Sequence, residues 1–180
     1  MLTIGLGFAM LAPACPAGGE AVVIQETVIE HPWRYVTEDP AETYFALVAW
    51  QRPFLGGEGD RLGYFTHDWD VALRLDGATK MIAKACFVTR FEMHYPYMPT
   101  PTLRRCYGDV TDQAEAHERR HVEITAGVIE ETAAALIGAT REEAAALTDG
   151  LEAKIEAANE AFHETPEGRA QRTVRRRSGC

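Results

Sequence analysis

Two histidines four residues apart, with a glutamate directly after the first, make up the segment His117-Glu118-Arg119-Arg120-His121. On a helix, positions four apart lie on one face, one turn above each other. Two imidazoles placed this way can share one tetrahedral metal ion, and Zn2+ is the expected cofactor for that donor type and spacing. Glu118 sits about 100° around the helix from His117. It is off the ligand face but within reach of a water on the metal. The chemistry this points to is hydrolysis: zinc lowers the pKa of its water toward about 7 and polarises a carbonyl, and Glu118 is the catalytic general base. The competing reading is a solvated His/Glu/Arg face. Arg119 and Arg120 fall on other faces of the helix in either case and are most simply solvated, with Glu115, Glu123 or a substrate carboxylate as a partner open to one of them.

A zinc site needs a third protein ligand. Glu130 and Glu131 lie further along the same helix, and a straight helix cannot fold back to the metal. The candidates are therefore His163, Glu164 or Glu167 near the end of a following helix, or His94 on a strand. An antiparallel return of that helix brings its end back toward His117 and favours the region from His163 to Glu167.

The elements that must position these residues follow from patterning. Glu20 to Ile29 is rich in Val, Ile and Thr and reads as a strand, which Tyr35-Val36-Thr37 could extend. Asp39-Pro40 opens a helix over Ala41 to Trp50, ended by Pro53 and Gly56-Gly57. From Trp69, apolar Val71, Leu73 and Leu75 alternate with Asp70, Arg74 and Asp76. Gly77 punctuates, and a second strand runs from about Met81 to Tyr95, an antiparallel neighbour of the first. Its Phe87, Phe91, Met93 and Tyr95 share one face, and Lys84, Arg90, Glu92 and His94 the other. Trp33, Trp50 and Trp69 are expected to pack the core, and His31, His67 and His94 to be surface or satisfied histidines.

The second half reads as helical. Asp112 with Glu115 resembles a capping box, and the helix runs to about Ile137 before Gly138. Ile124 and Val128 are expected to carry the histidine face inward. Thr140 with Glu143 repeats the signature. Ala144, Leu147, Leu151, Ile155, Ala158 and Phe162 then form one apolar stripe ending before Pro166. The expected fold is α+β: a small antiparallel sheet packed against a C-terminal helical hairpin that carries HExxH.

The chain has 180 residues and a formal charge of -9. That is one domain's length, and the acidic balance disfavours a nucleic-acid partner. Leu2 to Ala14 is an apolar run ending in Ala12-Pro13-Ala14, like the core and cleavage site of a secretory signal. It is too short to span a bilayer, so no transmembrane span is expected in the mature chain. The positively charged start of such signals is missing. Cys15 follows directly and would allow lipid attachment there, although leucine at the usual lipobox place is absent. The expected organisation is a signal-like leader over 1–19, a domain over 20–168, and a basic tail over 169–180 with Arg169, Arg172, Arg175, Arg176 and Arg177. Cys86 and Cys106 are left inside the domain and are the natural disulfide pair in an exported protein.

From Tyr35 to Gly168 the sequence resembles a bacterial family of secreted zinc-dependent proteases, domain of unknown function 922. The resemblance rests on Tyr35-Val36-Thr37 before a helix, Gly63-Tyr64-Phe65-Thr66 before the Trp69 strand, and Cys86-Phe87-Val88. Pro96-Tyr97-Met98-Pro99 and then HERRH follow. It implies a zincin-like metallopeptidase in the periplasm or cell envelope, acting on a peptide or protein substrate. The family closes this region with an aromatic-Asp pair and Thr-x-His-Gly. Here Thr165 and Gly168 fit, but Ala161-Phe162 stands at the pair and Glu167 at the late histidine. The resemblance thus implies Glu167 as third ligand, carboxylate being an accepted zinc ligand, with His163 the alternative. The departure also motivates a second function: a catalytically inactive envelope protein that keeps the fold and at most a structural or weak metal site.

Overall fold

The computed structural model describes residues 20–30, 37–50 and 63–170. The expected leader, His31, Trp33, Tyr35-Val36, the stop at Pro53 and Gly56-Gly57, and the tail beyond Ala170 lie outside them. The elements are β1 (Ala21–Glu30), α1 (Pro40–Trp50), β2 (Tyr64–Leu75), β3 (Ile82–His94), α2 (Pro101–Leu136), α3 (Arg141–Asp149), α4 (Leu151–His163) and α5 (Pro166–Ala170).

The architecture is α+β, with one correction to the sheet. Its order is β1-β3-β2, with β2 antiparallel and β1 parallel to the central β3. The sheet is mixed rather than antiparallel because the chain crosses through α1 and β2 before β3 pairs with β1. β2 also begins at Tyr64, before its alternating stretch, because Tyr64 to Asp68 pair with His94 to Arg90. The β2–β3 turn is held by Asp76, whose carboxylate accepts from the backbone N–H of Thr79 at 2.7 Å and of Ala78 at 3.0 Å. These bonds, with that of the Thr79 hydroxyl, hold the Asp76 carboxyl below its ordinary range.

α2 starts at Pro101, a full eleven positions before Asp112. Thr100 is its N-cap, accepting from the Leu103 N–H at 3.2 Å, and Pro101 follows where a missing N–H costs nothing. The prolines before it are therefore a helix entry as well as a strand end. The helix ends as expected at Gly138, which takes φ +80°, open to glycine without strain. The Gly138 N–H donates to Ile82 O and the Ile82 N–H to Ala139 O, both at 2.8 Å, stitching this turn to the start of β3. The Thr140–Glu143 capping box is present. The single second helix is instead two, α3 and α4, because Gly150 at φ −86°, ψ −4° closes one and opens the other.

α2 lies across one sheet face and runs opposite to β3. Near its end, Ile129, Ala133 and Leu136 pack with Ile82, Ala85, Phe87, Leu151 and Ile155. Near its start, Leu103, Cys106, Tyr107 and Val110 pack with Met93, Tyr95, Met98 and Leu47. The Tyr107 hydroxyl donates to Pro40 O at 2.5 Å and ties α1 to this end. Trp69 packs against Phe87, with ring centroids 5.9 Å apart. Among the described residues no helix is long and apolar enough to cross a membrane.

Cys86 and Cys106 are both disulfide-bonded, but not to each other. Cys106 lies with Met93 and Tyr95, whereas Cys86 adjoins Phe87, at the level of Ile129 and Ala133. About 35–40 Å of α2 separates those levels at 1.5 Å per residue, against the roughly 4.4–6.8 Å between Cα atoms that a disulfide spans. Cys86 also points away from α2, since Ala85 and Phe87 on either side point toward it. The pairing expected from sequence is thereby corrected.

Candidate metal centre

The two histidines of HERRH lie at the middle of α2, and α4 returns against them. Leu151 and Ile155 pack beside Ile129 and Leu136, so the helix runs antiparallel to α2 and its far end reaches His117 and His121. Residues 155, 159 and 163 share one face of α4 by their spacing of four. The last of them, His163, completes a cluster with His117 and His121 in which one ring nitrogen from each lies within 4.8 Å of the other two. His121 Nε2 is 3.1 Å from His117 Nε2 and 3.1 Å from His163 Nε2. Two nitrogens bound to one tetrahedral zinc at about 2.05 Å would lie about 3.3 Å apart. The spacing therefore matches edges of a metal's coordination polyhedron, and the three residues are close enough to hold a metal ion.

The rings are fixed from several sides. His117 and His163 stack at 5.3 Å with planes 7° apart, and His121 stands edge-on to both. Phe162, buried at the end of α4, packs on His117 at 5.1 Å and on His121 at 5.3 Å. Phe65 of β2 stacks on His121 from the sheet side at 5.9 Å. Aromatic walls of this kind exclude water and limit ring rotation, which keeps donor atoms convergent. The Asn159 side-chain oxygen lies 2.6 Å from His121 Nδ1.

Glu118 shares the inward row of α2 with His121 and is only 3% exposed. Gly63, at the entry to β2, lies directly against it. A Cβ on Gly63 would sit 2.8 Å from Glu118 Oε1 and 2.6 Å from the backbone oxygen of His94. Only glycine permits this approach of backbone to carboxylate. On the neighbouring turn, burial and then Glu115 push the Tyr95 phenol up to about 12.

The remaining candidates fall elsewhere. Glu167, expected as the third ligand, is exposed in the first turn of α5 and outside the histidine cluster. Helix α4 ends with His163 as its last residue, so the turn at Glu164 and Thr165 carries Glu167 past the site. Its negative charge instead contributes to raising the pKa of exposed Arg120, after the larger effect of Glu123. Glu164 is exposed and pairs with Arg169. His94 is buried at the end of β3, stacked on Tyr64 at 4.1 Å, with Nδ1 3.4 Å from Glu30. His67 pairs with Glu152 at 3.1 Å. Arg119 and Arg120, expected to be solvated with at most one of them paired, both pair, with Glu115 and Glu123 respectively. Ile124 and Val128 are only half-buried, and the inward row runs through Glu118, His121, Thr125 and Ile129.

Asn159, Phe65 and Phe162 were not singled out in the sequence as site residues. Asn159 carried a signal, one turn before a candidate ligand on the same face. Phe162 reads as one more member of an apolar stripe, and Phe65 stands only within the Gly63-Tyr64-Phe65-Thr66 stretch. The chain matches no protein-family model, no curated protein and no solved structure.

Proposed function

We propose that the protein is an exported zinc-dependent hydrolase of peptide bonds, with His117, His121 and His163 as metal ligands and Glu118 as general base. The convergence of three ring nitrogens from two helices, with 3.1 Å between neighbouring Nε2 atoms, carries the metal part of this reading. Among the described residues three histidines converge, and a three-ligand set with water in the fourth position is the pattern of catalytic rather than structural zinc. When bound, zinc would supply the Lewis acidity that makes water a nucleophile near neutral pH and polarises the scissile carbonyl.

The rest falls to the chain. Glu118, on the same helix as two ligands, takes the proton of the attacking water and returns it to the leaving amine. Phe65 and Phe162 keep bulk water off the histidines. Among the described residues β2 is an edge strand beginning beside Glu118, and an extended peptide could add to it through main-chain hydrogen bonds. Export is supported by the apolar leader and by disulfide-bonded Cys86 and Cys106, since such bonds persist in oxidising compartments. The resemblance to the zinc-protease family fits the same reading, with His163 taking the place it gave to Glu167.

The test is metal content followed by hydrolysis. Full-length protein purified with zinc should hold one equivalent and cleave a peptide library. Glu118→Gln should keep the zinc and lose the cleavage. Protein that holds no zinc after supplementation would end the proposal. Zinc retained with no hydrolysis in the wild type would favour the inactive envelope protein.

A further inference from the structure

Asn159 has a chemical assignment that follows from its partners. Its side-chain nitrogen lies 3.0 Å from the carbonyl oxygen of Ile155 and 3.1 Å from the hydroxyl of Thr125, a side chain with no exposure. A backbone carbonyl can only accept, so the atom facing Ile155 must be the NH2 group. The amide oxygen is then the atom 2.6 Å from His121 Nδ1. An amide oxygen cannot donate, so Nδ1 of His121 must carry the ring proton. In the neutral ring this leaves Nε2 with a lone pair, and Nε2 is the atom 3.1 Å from both His117 Nε2 and His163 Nε2.

We infer that Asn159 is a positioning residue that locks His121 in the Nδ1–H tautomer, so that Nε2 is ready to bind metal before any ion arrives. The chain of constraint starts at a backbone carbonyl of α4 and ends at a ring on α2. Partners of this kind fix ring orientation and raise metal affinity by roughly 10–100-fold. An amide does so without adding charge, where a carboxylate would offset part of the cation's.

The effect on affinity rests on the proposed metal centre, but the tautomer does not, and the experiment separates them. Long-range proton–nitrogen NMR of the imidazole rings is recorded on the metal-free, full-length protein at about pH 8.5, where histidine is ordinarily neutral. His121 should show its proton on Nδ1 in the wild type and in Asn159→Asp, which keeps an acceptor. In Asn159→Leu the proton should move to Nε2 or exchange between the two nitrogens. Zinc competition against a chelator should then show Asn159→Leu binding 10–100-fold more weakly, with melting in chelator reporting any loss of packing separately. A wild-type His121 protonated on Nε2, or wild-type zinc affinity in Asn159→Leu, would overturn the inference. Wild-type protein that takes up no zinc, yet holds His121 as the Nδ1–H form, would end the metal reading and leave the assignment of Asn159 standing.

Discussion

The inward row of α2 changes character along its length. Toward the end it is Ile129, Ala133 and Leu136, in an apolar cluster with β3 and α4. Toward the start it is Leu103, Tyr107, Val110 and Ala114, in a second apolar cluster. Between them the same row reads Glu118, His121 and Thr125, all buried, with exposures of 3%, 7% and 0%. Helix period and packing continue through all three stretches; only the chemistry differs. Burying a polar group without a partner costs roughly 1–3 kcal/mol, and Asn159 serves both His121 and Thr125, while the absence of a side chain at Gly63 leaves room for the Glu118 carboxylate. Apolar packing is concentrated in the flanking clusters and buried polar side chains in the band.

The sharpest break of that division is expected in the flank. Ile129→Ala leaves a cavity among fully buried neighbours and should cost about 2–5 kcal/mol, seen in chemical denaturation, with zinc affinity of the folded fraction unchanged. A parallel loss of affinity would show the two regions to be coupled more tightly than the division allows. His163→Ala is the converse. Zinc binding by chelator competition should fall by more than the roughly 100-fold upper worth of an outer partner, while melting in chelator stays near wild type.

Gly63→Ala tests the border between the regions. Its Cβ would lie 2.6 Å from a backbone oxygen that cannot simply rotate away. A cost of about 1–3 kcal/mol is expected, together with reduced hydrolysis at unchanged zinc content, because Glu118 must shift. The smallest effect belongs to Tyr95. Its folded pKa is raised to about 12 from the ordinary value of about 10. Its contribution to stability is complete below about pH 10 and is lost as pH rises toward 12. In Tyr95→Phe the fall in stability over that window should be shallower, measured by denaturation at stepped pH.

Much of this plan was legible in the sequence, and the failures have physical causes. The strands β1 and β3, the capping box at Thr140 and the stop at Gly138 follow from local chemistry, and the placing of His117 and His121 together on one helix face from spacing alone. The start of α2 was missed because Pro101 serves equally well at a first helical turn and after a strand. The parallel pairing of β1 depends on which strand comes to the sheet centre, a contact between residues far apart in the chain. The choice of His163 over Glu167 turned on where α4 stops, and neither helical period nor family resemblance fixes a terminus to within a turn. The disulfide expectation failed because a pair of cysteines in sequence says nothing about which sheet face each occupies.

The length of α2 carries one more consequence. It is a single rod of 36 residues, about 54 Å long, and both apolar clusters are fastened to it along with His117 and His121. Unfolding that parts α4 from α2 separates the three imidazoles, so an ion held only by the folded chain would weigh on the melting of the cluster they share near Ile129 and Ile155. At a free concentration one hundred times its dissociation constant, such an ion would add about 2.7 kcal/mol. The far junction where Gly138 and Ala139 bridge to Ile82 would then serve as a remote gauge of occupancy, its amide hydrogens exchanging with solvent more slowly whenever the distant histidines are loaded.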